Sequence, residues 1–245
     1  MHESYCVFDI ETAPLDWTSF DEAQHEYLLR GATTTEEQDK KKAEMALSPL
    51  TAQIVCLGII LYERNAEGVF EEKKRTAYLQ DSSLDDDAYT SEDLPNGARL
   101  VRSNEKTLLS NFWKLLRQNP SLHLISFNGR NFDAPFMMMR SALHRVKPSR
   151  NLMEGTRFNY PKHTDLIDEL CFFNASQSGA TRRYNFDFFT KAFGIESPKS
   201  AGVDGSKVAE LFARGEGRTI AEYCLRDVQA TWELFLIWRE YLAMK

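Results

Sequence analysis

Near its amino terminus the chain reads Cys6-Val7-Phe8-Asp9-Ile10-Glu11-Thr12, and the alternation in this stretch decides how the rest is read. Tyr5–Ile10 is predicted to be a short buried strand. Residues i and i+2 of a strand face the same side, so Asp9 and Glu11 project together from its end. Two carboxylates so placed repel each other. Burying either charge without compensation costs several kcal/mol or shifts its pKa. A divalent cation removes that penalty, and hard oxygen ligands suit Mg²⁺ or Mn²⁺. A strand end frayed into water would also tolerate two acids, so this stretch alone leaves both readings open.

Working outward, Ala52–Tyr62 and Val69–Leu79 are strand candidates on either side of the turn-prone Asn65-Ala66-Glu67-Gly68, which predicts a hairpin. Leu122–Phe127 is a further strand, broken by Asn128-Gly129, and His163–Leu166 is a last short one. Between them, Ser103 would cap a helix running to about Gln118, and a second helix would run from Asp133 to about Val146. Helical patterns follow at Tyr184–Phe193, Ser206–Arg214 and Thr219 to about Leu242. Asp16 to about Met45 reads as an exposed helical insertion, and Gln80–Gly97 as an acidic surface loop.

Three strands, a helix, a strand, a helix, a short strand and then helices describe an α/β chain with a leading antiparallel meander. The fold expected is a ribonuclease H-like mixed five-stranded sheet flanked by helices. It would be a single domain over residues 1–245, with an insertion at about 16–46. No GxGxxG follows the first strand and no GxxxxGK[ST] occurs, so a nucleotide-cofactor fold loses its support.

The 42% hydrophobic content is that of a folded globular chain, and no run approaches the roughly 20 apolar residues of a membrane span. The opening MHESYCVFDIE lacks a basic region and does not read as a signal peptide. Cys6, Cys56, Cys171 and Cys224 show no CxxC spacing, as expected of reduced thiols in a cytoplasmic protein. Net charge is −6 but unevenly spread. Residues 1–129 hold 13 basic against 22 acidic residues, whereas residues 130–245 hold 17 against 14. Phosphate binding needs a local positive surface rather than a basic chain.

Two later stretches carry chemistry. In Phe127-Asn128-Gly129-Arg130-Asn131-Phe132-Asp133 a strand ends and an acid enters the first turn of a helix. Asp133 taken alone reads as a helix cap, although ligands of open α/β sheets gather at such junctions. In Glu222-Tyr223-Cys224-Leu225-Arg226-Asp227, Tyr223 and Asp227 are four apart and share one helix face. His163 and Asp165 have metal-ligating side chains, yet an isolated HxD pair reads as structural.

Together these motifs resemble the DEDD superfamily of 3′–5′ exonucleases, in its tyrosine (DEDDy) subgroup. Asp9 and Glu11 match the DxE motif, Asn128, Phe132 and Asp133 an Nx(3)FD motif, and Tyr223 and Asp227 a YxxxD motif. The histidine subgroup would have His at position 222, which is Glu222 here. A looser likeness to predicted exonucleases related to the proofreading domain of family B DNA polymerases extends through Ala46–Gly58, His163–Leu166 and Ser197–Phe212.

The resemblance implies that Asp9, Glu11, Asp133 and Asp227 hold two divalent ions, Mg²⁺ or Mn²⁺, about the scissile phosphate. Tyr223 would orient the attacking water. Asn128 and Phe132 would hold the terminal nucleotide, with Thr12 and Leu15 bordering it, and Lys199, Ser200 and Lys207 could reach phosphate. The substrate implied is nucleic acid with a free 3′ end, single-stranded DNA favoured, with 5′-mononucleotides released. The competing readings are a ribonuclease H-like endonuclease and a catalytically silent nucleic-acid-binding module. Nothing in the sequence fixes an oligomeric state.

Overall fold

The computed structural model describes residues 3–197 and 205–243. Its strands are β1 (Ser4–Pro14), β2 (Ala52–Arg64), β3 (Phe70–Gln80), β4 (Thr90–Asp93), β5 (Arg99–Ser103), β6 (His123–Ser126) and β7 (His163–Asp165). They form one mixed sheet in the order β4-β5-β3-β2-β1-β6-β7. β1, β2 and β3 are an antiparallel meander, while β6 pairs parallel with β1 and β7 parallel with β6. These are the five strands expected from the sequence, with the order and directions of a ribonuclease H-like sheet.

The sheet is wider than the expected five strands. β5 adds parallel to β3, and β4 adds antiparallel to β5 within the stretch read as an acidic loop. All four residues of β4, Thr-Ser-Glu-Asp, are exposed. No apolar alternation marks such a strand, and ladder hydrogen bonds alone define it. Its polar, charged character also suits an edge, where an apolar strand would invite pairing with another chain.

The helices are α1 (Glu22–Leu28), α2 (Thr35–Glu44), α3 (Glu105–Gln118), α4 (Asp133–Leu143), α5 (Leu166–Leu170), α6 (Phe186–Ala192), α7 (Val208–Ala213) and α8 (Gly217–Tyr241). The pleat of β1 sorts the core. Cys6, Phe8 and Ile10 join Leu57, Ile59 and the apolar faces of α3 and α4. Val7, on the other face, joins Ile60 and Val228, Trp232 and Phe235 of α8.

α1 and α2 form the helical insertion, and neither buries a residue. Both open with capping boxes, Asp21 with Gln24 and Thr34 with Glu37, so local bonds satisfy their first N–H groups. The insertion is tied to the end of β1 by Thr12 Oγ1 donating to the Ala46 carbonyl at 2.7 Å and by the Leu15 amide donating to Thr51 at 2.9 Å.

α3 begins one residue later than expected. Its cap is Asn104, which accepts from the Thr107 amide, because Ser103 still pairs with Gln80 in the sheet. The first residue inside the helix, Glu105, is buried. It accepts from the Ile54 amide at 2.9 Å, from Arg140 Nε at 2.8 Å and Nη2 at 2.5 Å, and meets His144 Nε2 at 2.8 Å. Burial opposes its charge, but the hydrogen bonds from Arg140 and His144 outweigh that and hold its carboxyl below the usual range. One carboxylate thereby joins α3, α4 and β2. Replacing Glu105 with Ala leaves the Arg140 guanidinium buried without its partner. The expected cost is about 3–5 kcal/mol, read as a lower urea midpoint at an unchanged m-value.

Candidate active site

Asp9 and Glu11 sit two apart on β1, on the face that α8 crosses; Glu11 is buried and Asp9 half-buried. How close α8 can come is set by Gly58, which pairs with Asp9 across the β1–β2 ladder. A Cβ at residue 58 would stand 2.8 Å from Cys224 Sγ and 3.0 Å from Val228 Cγ2. Only a residue without a side chain lets the helix settle there. Just past Glu11 the register shifts, so Glu11 faces Cys56 while Thr12 faces Ile54. Such a bulge re-aims the side chains beside it.

α8 delivers Tyr223 and Asp227 from one face, as their spacing predicted. Tyr223 is buried and Asp227 half-buried, close enough for the Asp227 charge to raise the Tyr223 phenol. The helix is anchored behind them by Val228, Trp232 and Phe235, with Trp232 stacked on Tyr62 at 3.9 Å.

Asp133 is not a cap. Phe132 holds the cap position of α4 without a side-chain bond, and Asp133 is the first helical residue. Its carboxylate turns back to the sheet, where Oδ1 accepts from the Ile10 amide at 2.9 Å. The acid carried by α4 thus docks on the peptide lying between Asp9 and Glu11. Periodicity could not show this, because the two partners are 123 residues apart.

The turn leading to Asp133 is held by Asp165, the acid of the HxD pair. Its buried carboxylate accepts from the amides of Asn128 at 2.7 Å, Arg130 at 2.8 Å and Ile167 at 3.3 Å. Gly129 packs on Ser126, whose Oγ would lie 2.2 Å from a Cβ at residue 129. Ser126 in turn meets His163 Nε2 at 2.8 Å. His163 and Asp165 therefore shape the turn from behind, as the structural reading of that pair expected.

Of the other expected residues, Asn128 has φ +67° and is half-buried, with its side-chain oxygen accepting from Arg183. Phe132 is half-buried and packs on Phe136 at 5.3 Å. Thr12 and Leu15 follow Glu11 and are fastened to the insertion as described. Lys207 is exposed ahead of α7, and Lys199 and Ser200 lie outside the described residues.

Three of the four acids are shifted by burial and by their neighbours. Burial first, and then the charges of Asp133, Glu11 and Asp227, push the Asp9 carboxyl well above its usual range. Glu11 is raised in the same way, by burial and then by Asp227. Burial raises Asp133 to about 7, with the Ile10 amide working in the opposite direction. Tyr223 is pushed up by burial and then by Asp227, Glu11 and Asp9. Among the described residues, no Lys or Arg makes an ion pair with Asp9, Glu11 or Asp133.

That leaves a concentration of negative charge that a cation would relieve, and the donor chemistry fits one. Ligand atoms of Asp9, Glu11 and Cys224 lie within 4.8 Å of one another, a grouping large enough to hold an ion. Cys224 is the member that sequence reasoning missed. Its spacing of three from Asp227 was the available signal. Its thiol donates to the Asp9 carbonyl at 3.5 Å. The remaining donors are carboxylate oxygens, which suit hard divalent cations.

Residues 96–243 match a family described as predicted 3′–5′ exonucleases related to the exonuclease domain of PolB. The chain belongs to this family. The matched stretch contains Asn128, Phe132, Asp133, Tyr223 and Asp227. An uncharacterized protein of Methanocaldococcus jannaschii is 28% identical over 156 residues, covering 56% of this chain and 76% of that protein. The family B DNA polymerase of Pyrobaculum calidifontis superposes with a TM-score of 0.56 at 16% identity over 97% of this chain. The chain spans 24% of that polymerase, and the likeness is one of fold.

The raised acids predict a pH signature in ion-free protein. Asp133 ionises near the ordinary carboxyl value of 3.8 when unfolded and at about 7 when folded, so the folded state holds the proton longer. Its ionisation therefore costs stability that is absent below pH 4, grows through the window and is complete above pH 7. Asparagine at 133 can still accept from Ile10. Asp133→Asn should melt about 3 °C or more above the ion-free wild type at pH 8, with the gap closing near pH 4. Added Mn²⁺ should raise the wild type more than the variant in a thermal-shift assay.

Proposed function

We propose that the chain is a two-metal-ion 3′–5′ exonuclease that releases 5′-mononucleotides from the 3′ end of nucleic acid, with single-stranded DNA favoured. The observation that carries this reading is the bond from the Ile10 amide to Asp133, which adds a third carboxylate to Asp9 and Glu11. With Asp227 beside them, this is the oxygen-rich set that a pair of Mg²⁺ or Mn²⁺ ions requires. Asp9, Glu11, Asp133 and Asp227 would hold the ions. Bound there, the ions neutralise the scissile phosphate and lower the pKa of water.

The chain's own residues do the positioning. Tyr223 is a neutral phenol at neutral pH, since its ordinary value is already near 10 and burial raises it further. A phenol so raised cannot serve as a base at neutral pH. Its hydroxyl, beside Asp227, orients the attacking water. Asn128 and Phe132 hold the terminal nucleotide from the other side of the site. Thr12 and Leu15 border it, fixed by the base of the insertion.

We read residues 1–245 as one exonuclease domain, with residues 16–46 inserted between β1 and β2. Among the described residues no helix is long and apolar enough to cross a membrane. The four cysteines are free and buried, which suits a reducing, cytoplasmic setting.

Incubation with Mn²⁺ and three substrates, a single strand, a 3′-recessed duplex and a closed circle, tests the proposal. Mononucleotides from the linear ends and an intact circle are expected. Nicking of the circle would favour a ribonuclease H-like endonuclease, and binding without hydrolysis a silent module. Asp227→Asn should lower turnover by on the order of 10²-fold or more, because ligands that act as a unit fail together. Wild-type turnover in that variant would remove Asp227 from the site.

A further inference from the structure

Beside Asn128 lies a group of rings and guanidinium groups that the proposed hydrolysis does not use. The loop 172–185 carries Arg182 and Arg183 and no acid, in a chain of net charge −6. Packing sets its place. Phe186 and Phe189 of α6 close on Phe127 with ring centroids 4.7 and 5.7 Å apart, and Phe127 immediately precedes Asn128. The start of α6 is thereby pinned against the turn that leads to Asp133.

Two consequences follow from that contact. Arg183 donates to the side-chain oxygen of Asn128. A guanidinium can only donate, so the amide is held with its oxygen toward Arg183 and its NH₂ group turned away, available to a ligand. Second, the rings that do not face Phe127 face outward. Tyr184 stacks on Phe188 at 4.1 Å and 10°, Arg182 lies 4.8 Å from the Tyr184 ring, and Phe188 is 54% exposed. A ring pair serving only the core would be covered. Here it ends in solvent, flanked by two exposed arginines.

We propose that this edge is the track along which an unpaired strand of nucleic acid enters the site. Phe188 presents a face on which a base stacks, and Arg182 and Arg183 meet the phosphates on either side of it. Arg183 has a second task as a positioning residue, holding the Asn128 amide in register for the terminal nucleotide. The chemistry selects single strands, because a paired base keeps its faces inside the duplex and offers none to a ring. The inference rests on the exonuclease reading and names the substrate class of that site.

The test is the anisotropy of a 5′-fluorescein-labelled dT₁₂ and of a blunt hairpin of equal length, with Ca²⁺ in place of Mn²⁺. The wild type should bind dT₁₂ about tenfold more tightly than the hairpin. Phe188→Ala should weaken dT₁₂ binding about tenfold, while Phe188→Trp, which keeps the stacking face, should restore it. Arg182→Ala with Arg183→Ala should weaken binding and flatten the salt dependence by about one to two counterions. Melting curves check that each variant is folded. Wild-type affinity in both alanine variants, or equal affinity of the wild type for hairpin and strand, would overturn the track. Release of mononucleotide from the same oligonucleotide with Mn²⁺ is measured separately. A wild type that binds through this edge but releases nothing contradicts the exonuclease reading and leaves the track standing.

Discussion

Helix α8 can reach the acids of β1 only because residue 58 has no side chain. Gly58 faces Asp9 across the ladder, and any larger residue would meet Cys224 and Val228 head-on. With the helix seated, Tyr223 and Asp227 arrive over Asp9 and Glu11 from one side of the sheet. Asp133 arrives from the other side, pulled onto β1 by the Ile10 amide. The arrangement draws on both faces of a single strand. Its odd residues meet α8, its even residues meet α3 and α4, and the backbone between them takes the third carboxylate.

The cost of this convergence is electrostatic. Burial and mutual repulsion raise Asp9, Glu11 and Asp133 together, and among the described residues no cationic side chain is paired with them. Contrast Glu105, as buried as Asp133, whose charge is met by Arg140 and His144 and whose pKa falls below its usual value. Apart from Asp165, held by three backbone amides, the fold contains two solutions to a buried carboxylate. One is closed by protein cations and joins three elements. The other, in the proposed reading, is met by a cation from outside. That contrast, within one core, is the physical ground for reading the first cluster as structural and the second as a site.

Much of this was legible in the sequence because it follows short-range periodicity. Alternation in Cys6–Thr12 placed Asp9 and Glu11 on one side, and the i,i+4 spacing placed Tyr223 with Asp227. β1, β2 and β6 each carry an apolar run, whereas β7 (His-Thr-Asp) and the charged first half of β3 do not. What the sequence did not disclose depends on partners far apart or on weak patterns. Taken alone, Asp133 read as a cap, and only the motif likeness drew it to the site, because its amide partner is 123 residues away. The hydrogen bond between Arg183 and Asn128 spans 55 residues, and that between Arg140 and Glu105 spans 35. β4 is fully exposed, so no hydrophobic signal marked it. Cys224 was visible as a residue but not as a neighbour of Asp9, since the sequence does not show how closely α8 approaches Gly58.

The central claim is that these four carboxylates form one cation-binding centre. Anomalous diffraction from crystals soaked in Mn²⁺ with a nucleoside 5′-monophosphate tests it most directly. Two adjacent manganese peaks in contact with Asp9, Glu11, Asp133 and Asp227 are expected, with the phosphate of the nucleotide beside them. Manganese bound elsewhere on the molecule, with the four carboxylates bare at saturating Mn²⁺, would contradict it.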